Sequence, residues 1–307
     1  MTGETITDNH AWPAAGAALS VLIPFKDDDP SALLALLGRE RVAVEIVMLN
    51  DGSVGADLAQ RVTAAAAQCP LPVRLVTLSQ NVGRAKGRNR LATHARAERL
   101  LFLDSDMAPD DDRFLARWLE LIHGDDPAMA FGGFSLQQVA IDRSHALHRQ
   151  MAAHSDCLPA EARRQAPEKH IFTSNLLVRR DVFAAERFNE DFTGWGWEDV
   201  EWGMRIARRW PIVHVDNTAT HLGLDTAAVL AVKYEQSAVN FARVVASHPH
   251  VVRNYPSYRA ARLLKHAPMR RIWRPLLKAF AISELAPLAA RAFAMRLYRA
   301  ALYAEAV

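Results

Sequence analysis

Apolar residues in the first part of the chain fall into short, mostly apolar runs, at 19–25, 44–49, 73–78 and 100–103. Runs of this length, rich in Leu, Ile and Val and lacking a period of two, predict strands buried on both faces. Between them the pattern turns helical, over 30–37, 56–68 and 83–97, with Asp29 and Pro30 supplying a cap and a first-turn proline. Strand and helix in alternation predict an α/β fold whose mainly parallel sheet is covered by helices on both faces. Past residue 109 the pattern loosens. A helix is expected over 114–122, a strand over 128–134, a mobile His-rich stretch over 144–166 and a strand over 171–178. A helix led by acids over 199–209 and a strand over 212–215 complete the alternation.

Ligands of such sheets collect beyond the carboxyl ends of the strands. Lys26, Asp51 and residues 104–106 all fall there. Asp104-Ser105-Asp106 closes the fourth strand, and two carboxylates one residue apart suit a hard divalent cation, Mn²⁺ or Mg²⁺, that also touches a diphosphate. Lys86 and Arg88, set among Gly83 and Gly87, suit steering that diphosphate, whereas Arg84, Arg90 and Arg96 read as a solvated helix face. Asp110, Asp111 and Asp112 read as the acidic start of the next helix. Glu198 and Asp199 either cap a helix or supply the base that a hydroxyl nucleophile needs. Trp195 and Trp197, separated by Gly196, offer flat faces on which sugar rings stack, while Trp202 and Trp210 read as core. His145, His148, His154 and His214 have no such context and read as exposed or satisfied.

Five segments in order resemble the family 2 glycosyltransferases of the GT-A fold, a Rossmann-like nucleotide-diphospho-sugar transferase architecture, over about residues 20–221. They are Ser-Val-Leu-Ile-Pro-Phe-Lys (20–26), Asn-Asp-Gly-Ser (50–53), Asn-Val-Gly-Arg-Ala-Lys-Gly-Arg-Asn (81–89), Leu-Asp-Ser-Asp (103–106) and Phe-Thr-Gly-Trp-Gly-Trp-Glu-Asp-Val-Glu (192–201), the last followed by His221. The last segment is also similar to the acceptor-side motif of chondroitin-type polymerases and β-1,4-galactosyltransferases. The resemblance implies that Pro24, Phe25 and Lys26 border the nucleotide and that Asp51 hydrogen-bonds its base, with Gly52, Ser53, Asn81, Gly83 and Ser105 in the same nucleotide-binding loops. Asn50 stands where the family often has a second Asp. A carboxylate accepts from an imide N–H, which favours UDP, although TDP presents the same group. Asp104 is implied at the ribose or the metal, Asp106 at the metal and His221 as a further ligand. Asp199 is implied as the base of an inverting transfer, with Glu198 orienting the acceptor or the base.

The expected activity is therefore transfer from a UDP-sugar to a glycan or lipid-linked acceptor in bacterial surface polysaccharide synthesis. The alternative is a non-catalytic scaffold that binds nucleotide or glycan. Cys69 and Cys157 lack metal-ligand spacing and read as structural thiols in a cytoplasmic protein. No run of about twenty apolar residues and no basic secretory leader is present. Charge is uneven: from residue 253 onward eleven Lys/Arg face Glu284 and Glu305, so with +3 overall the first 252 residues carry −6. The organisation expected is a flexible 1–18, a catalytic 19–250 and a basic amphipathic helical tail at 251–307, divided by Pro275 and Pro287. Such a tail suits an anionic membrane surface at the inner face of the cell membrane, with docking onto the catalytic body or a homodimer contact as the other fits; no nucleic-acid module accompanies it.

Overall fold

The computed structural model describes residues 3–13 and 16–307. The chain runs through β1 (Glu4–Asp8), β2 (Leu19–Phe25), α1 (Ser31–Leu37), β3 (Val44–Asn50), α2 (Ala56–Gln68), β4 (Val73–Leu78), α3 (Arg84–Thr93) and β5 (Arg99–Phe102). Shorter elements follow: β6 (Met107–Pro109), α4 (Phe114–Gly124), β7 (Met129–Phe131), β8 (Phe134–Ser135), α5 (Ala146–Ser155), α6 (Ala160–Arg163), β9 (Leu176–Arg179) and α7 (Arg180–Ala185). Then come α8 (Glu198–Ile206), β10 (Ile212–His214), β11 (Ala219–His221) and the helices α9 (Ala227–Ser247), α10 (Pro249–Val252), α11 (Pro256–Leu264), α12 (Arg270–Ile282) and α13 (Leu288–Tyr303).

The main sheet has the order β1-β4-β3-β2-β5-β9-β7-β10, and β6-β11-β8 form a small second sheet. Strands β4, β3, β2 and β5 are mutually parallel, whereas β9 runs against both of its neighbours. Every residue of β3 is buried, Glu45 and Asn50 included, as a mostly apolar strand covered by helices on both faces requires. One side packs Leu33, Leu34, Val62 and Trp118 from α1, α2 and α4. The other packs Leu91, Val182 and Trp202 from α3, α7 and α8, so Trp202 is core as expected and Trp210 packs at its edge.

Three expectations need correction. Residues 4–8 are not a flexible start: they pair antiparallel with β4, from Glu4 opposite Leu78 to Asp8 opposite Arg74. All five residues of β1 are exposed, so main-chain bonds carry the pairing and no apolar alternation marks it in the sequence. Asn9 locks the exit, its amide donating to the carbonyls of Ala66, Cys69 and Leu71 at 2.9–3.1 Å. Trp12 follows, buried between the guanidiniums of Arg74 and Arg96 at 4.5 and 4.0 Å.

The stretch 144–166, expected to be mobile, contains α5 and α6. Its anchor is Arg163, fully buried, which donates to the carbonyls of Leu158 and Val215 (2.6 Å each) and to His214 Nδ1 (3.2 Å). Gly133, at φ 96°, makes room for it: a Cβ there would lie 2.3 Å from Arg163 Nη1.

The third correction concerns Pro275, which does not divide the tail: α12 continues through it. The bond it forfeits belongs to the carbonyl of exposed Arg271, which water can reach. Pro287 does mark a boundary, immediately before α13. The C-terminal helices share one apolar cluster with α5, including Leu147, Phe241, Tyr255, Met295 and Tyr298, and the boundary expected near 250 falls inside it.

Glu45 is wholly buried between β2 and α3, accepting from Ser20 Oγ, the Arg96 amide and Arg96 Nε at 2.6 Å each. Glu45→Ala should lower unfolding stability by about 2–4 kcal/mol in a urea titration, because it orphans buried donors; a midpoint equal to that of the parent protein contradicts this role.

Candidate active site

The carboxyl ends of β2, β3 and β4 carry one set of loops. Asp51 Oδ1 accepts from the Val82 amide (2.7 Å) and Oδ2 from the Gly83 amide (3.1 Å), which fastens the entry to α3. Gly52, at φ 76°, presses against the same loop; a Cβ there would sit 2.5 Å from the Asn81 nitrogen. Ser53 Oγ accepts from the Asp27 amide at 2.8 Å, and Lys26 pairs with Asp27 at 2.5 Å. Pro24, Phe25, Lys26, Asp51, Gly52, Ser53, Asn81 and Gly83 are thus adjoining neighbours. Asp51 is engaged by the protein, its pKa pushed up by burial against those two amides, and retains one further lone pair on each oxygen. Lys86 is exposed on α3.

A cavity of about 480 Å³ opens beside these loops, lined among others by Asp104, Asp106, His221, Glu198, Asp199 and Trp195. Its floor is a charge network. Arg88 Nη2 donates to Asp104 Oδ1 (2.8 Å), and Ser174 Oγ donates to Asp104 Oδ2 (3.0 Å). Arg84 Nε donates to Glu198 Oε1 (2.8 Å) while its Nη2 lies 3.8 Å from Asp104. Burial pushes the Asp104 carboxyl up, but Arg88, Arg84 and Ser174 outweigh it and hold the pKa below the usual carboxylate value.

Asp199, one residue along α8, has a different environment. Its Oδ2 accepts from the amide and hydroxyl of Thr173, both at 3.1 Å, whereas buried Oδ1 has no hydrogen-bond partner among the described residues. Burial first, and the Glu198 charge second, push its pKa up to about 6. Two adjacent acids therefore differ in surroundings: Glu198 pairs with Arg84, whereas Asp199 accepts only from neutral Thr173 donors among the described residues and has a raised pKa.

Across the cavity, β6 and β11 pair antiparallel with His221 opposite Met107, which brings His221 Nε2 to 3.2 Å from Asp106 Oδ2. Phe134 stacks on the imidazole at 6.0 Å. Burial opposes a charged imidazole here, yet the Asp106 and Asp104 carboxylates raise the His221 pKa. Gly223 lies against the pair, and a Cβ there would stand 2.0 Å from Asp106 Oδ2. No group of three or more His, Cys, Asp or Glu side chains is gathered to hold a metal among the described residues. Asp106 and His221 supply one hard and one borderline donor and would need further oxygens from a ligand.

The loop before α8 takes φ 73° at Gly194, 89° at Gly196 and 75° at Trp197. Asn240 of α9 holds it by donating to the carbonyls of Thr193 and Gly196, each at 2.9 Å. The Trp197 indole donates to Tyr303 Oη (2.9 Å) and packs on Phe241, so this ring is structurally anchored. Trp195 is half-buried at the cavity wall beside Tyr234 and Lys233.

Several side chains depart from their sequence reading. Arg84 and Arg96 are exposed, as expected, and Arg90 is half-buried, yet each of the three pairs with an acid, Glu198, Glu45 and Glu4 respectively. Arg84 lies four residues before Arg88 on α3, a spacing that put both on one helix face and could have disclosed the pair. His148 is satisfied, as expected, its Nδ1 accepting from the Asp225 amide (2.7 Å), but it also lines the cavity with its ring 6.1 Å from that of His221. Ser174, Asp225, Lys233, Arg299 and Tyr303, which line the cavity, and Thr173, which bonds Asp199, carry no local motif; folding alone assembles them here.

A family profile described as glycosyl transferase family 2 matches residues 20–186, more than half of the chain. No curated protein sequence matches. Among solved structures, the mannosyltransferase PcManGT from Pyrobaculum calidifontis, in complex with GDP-Man and Mn²⁺, is similar in fold, with a TM-score of 0.60 at 14% identity over 96% of this chain and 88% of that one. Residues 1–349 of TarS from S. aureus give 0.54 at 14% identity over 94% of this chain and 89% of that one. The sheet, the helices on its faces and the match together make this chain a GT-A-fold glycosyltransferase belonging to glycosyl transferase family 2.

Proposed function

We propose that the enzyme moves a sugar from UDP to a hydroxyl of a glycan or lipid-linked acceptor, with inversion at the anomeric carbon, in assembly of a bacterial surface polysaccharide. The observation that carries this reading is Asp199, which lines the cavity with Oδ2 tied to Thr173, a buried Oδ1 that has no partner among the described residues, and a pKa that burial and the Glu198 charge push up to about 6. The acceptor oxygen bonds to the anomeric carbon as the bond to the departing phosphate oxygen breaks, and the hydroxyl proton passes to Asp199 Oδ1. Glu198, held by Arg84, keeps Asp199 oriented and its proton affinity high. A scaffold with no reaction to run leaves this unpaired carboxylate without an account.

Asp51 with its remaining lone pairs supports a uracil imide as the base contact, and Lys26 and Lys86 border the same loops. Asp106 and His221 fit a divalent cation, with Asp104 positioned behind them by Arg88. When bound, Mn²⁺ or Mg²⁺ offsets the charge that develops on the departing diphosphate. The GDP-Man and Mn²⁺ complex of the mannosyltransferase of similar fold supports a nucleotide sugar and a divalent cation. Trp195 is the better sugar platform of the two tryptophans, because Trp197 is committed to Tyr303 and Phe241. The likeness of 192–201 to the acceptor motif of chondroitin-type polymerases and β-1,4-galactosyltransferases supports a sugar acceptor on that side.

Asp199→Asn should lower kcat by about 10²- to 10⁴-fold with UDP binding retained, as read by steady-state kinetics and calorimetry; an unchanged rate removes Asp199 as the base. In the parent enzyme the rate should rise with pH through about 6 and level off above it, because only ionised Asp199 accepts the proton. The same shift has a stability sign. An acid with a folded pKa above its unfolded value gives up stability as pH rises from the unfolded pKa through the folded one. Asp199→Asn should therefore melt higher than the parent above pH 6, an advantage that disappears in acid. Gly223→Ala should push Asp106 away from His221 and weaken Mn²⁺-supported UDP binding about 10- to 100-fold with little change in melting temperature; unchanged binding in calorimetry contradicts the pairing.

A further inference from the structure

Between residues 251 and 283 the chain carries eight Lys/Arg and no Asp or Glu. Three of these cations turn back onto the protein: Arg274 pairs with Glu305 (2.5 Å), Lys278 with Glu235 (2.7 Å), and Arg270 donates to the carbonyls of Leu264 and Lys265. Arg253, Arg259, Arg262, Lys265 and Arg271 are exposed, and none has a carboxylate within 4.0 Å among the described residues. Exposed among them are large apolar side chains: Leu263 (82%), Met269 (70%), Ile272 (64%), Leu276 (65%) and Phe280 (45%), with Phe293 (61%) of α13 nearby in sequence to exposed Arg296. Ile272, Leu276 and Phe280 recur at four-residue spacing and so form one stripe along α12, with exposed Met269 immediately before its start. Beside the stripe runs a groove lined by Leu264, Trp273, Leu276, Leu277, Phe280 and Leu297.

We propose that α11 and α12 form a docking face for an anionic bilayer, and that this face sets the acceptor end of the cavity at the lipid headgroups. The charge pattern selects this occupant. Apolar side chains rimmed by cations match acyl chains beneath anionic headgroups. A self-complementary dimer would instead bring together two faces on which Arg253, Arg259, Arg262, Lys265 and Arg271 have no acid partner among the described residues. The placement follows from α11 itself: Tyr255, Pro256 and Ser257 at its head line the catalytic cavity. Resting on the transferase reading above, the inference narrows the acceptor to one anchored in that bilayer.

Flotation of the full chain with phosphatidylcholine vesicles, with and without an equal share of phosphatidylglycerol, tests it without calling on catalysis. Capture by the anionic vesicles should exceed capture by the neutral ones by on the order of tenfold and fall as salt is raised. Ile272→Glu with Leu276→Glu should reduce capture by at least about tenfold. Because both positions are exposed, the double variant should keep the parent melting temperature and UDP affinity. No capture at low salt overturns the proposal, as does capture undiminished in the double variant. A dimer in sedimentation that the double variant dissolves also overturns it and makes the face a protein contact. Loss of UDP binding in the parent protein would instead strike the transferase reading and leave the flotation result standing.

Discussion

Two guanidiniums and two carboxylates, those of Arg84, Arg88, Asp104 and Glu198, join the three segments that the site depends on: α3, the end of β5 and the start of α8. Asp104 and Glu198 are ninety-four residues apart in sequence and both face the cavity, where unpaired charges would repel each other and resist burial. The arginines supply counter-charge at 2.8 Å to each acid. With those acids paired in place, Asp106 and Asp199 remain without an arginine partner at the same cavity among the described residues. Among the described residues, the Asp106 carboxylate pairs with His221, and Asp199 keeps one oxygen without a partner.

The C-terminal helices complete this arrangement rather than append to it. The loop 193–197 adopts positive φ at three of its positions, Gly194, Gly196 and Trp197, a conformation that needs outside support at the tryptophan. Asn240 of α9 holds two of its carbonyls, and Tyr303 of α13 holds the Trp197 indole while also hydrogen-bonding Ser237 at 2.8 Å. Sequence 192–201 therefore works only within a frame that the last eighty residues build. The frame's outward side is basic and apolar, and its inward side forms the cavity wall.

The parallel strands and their helices were legible because buried runs and helical periods are local. The same holds for the residues that end strands: Asp51, Asp104 and Asp106 sit at carboxyl ends, as the pattern of runs implies. Strand β1 was not legible, since an exposed edge strand held by main-chain bonds leaves no apolar signature. Arg96 read as solvated because neither Glu45 nor Trp12 is near it in sequence, although together they bury one face of its guanidinium. Thr173 and Ser174 carry nothing in their neighbourhood to mark them, yet a 3₁₀ turn places them on Asp199 and Asp104. Helix α12 shows the opposite case: the four-residue repeat of Ile272, Leu276 and Phe280 was legible, but which face looked outward depended on α13 and Glu305.

The most direct measurement is calorimetric titration of UDP into the full chain, once with Mn²⁺ and once with EDTA. If Asp106 and His221 share a cation with the diphosphate, binding should be strong with Mn²⁺ and lost, or weakened by at least about tenfold, with EDTA. Equal affinity in both, or none in either, contradicts a metal-assisted UDP site in this crevice.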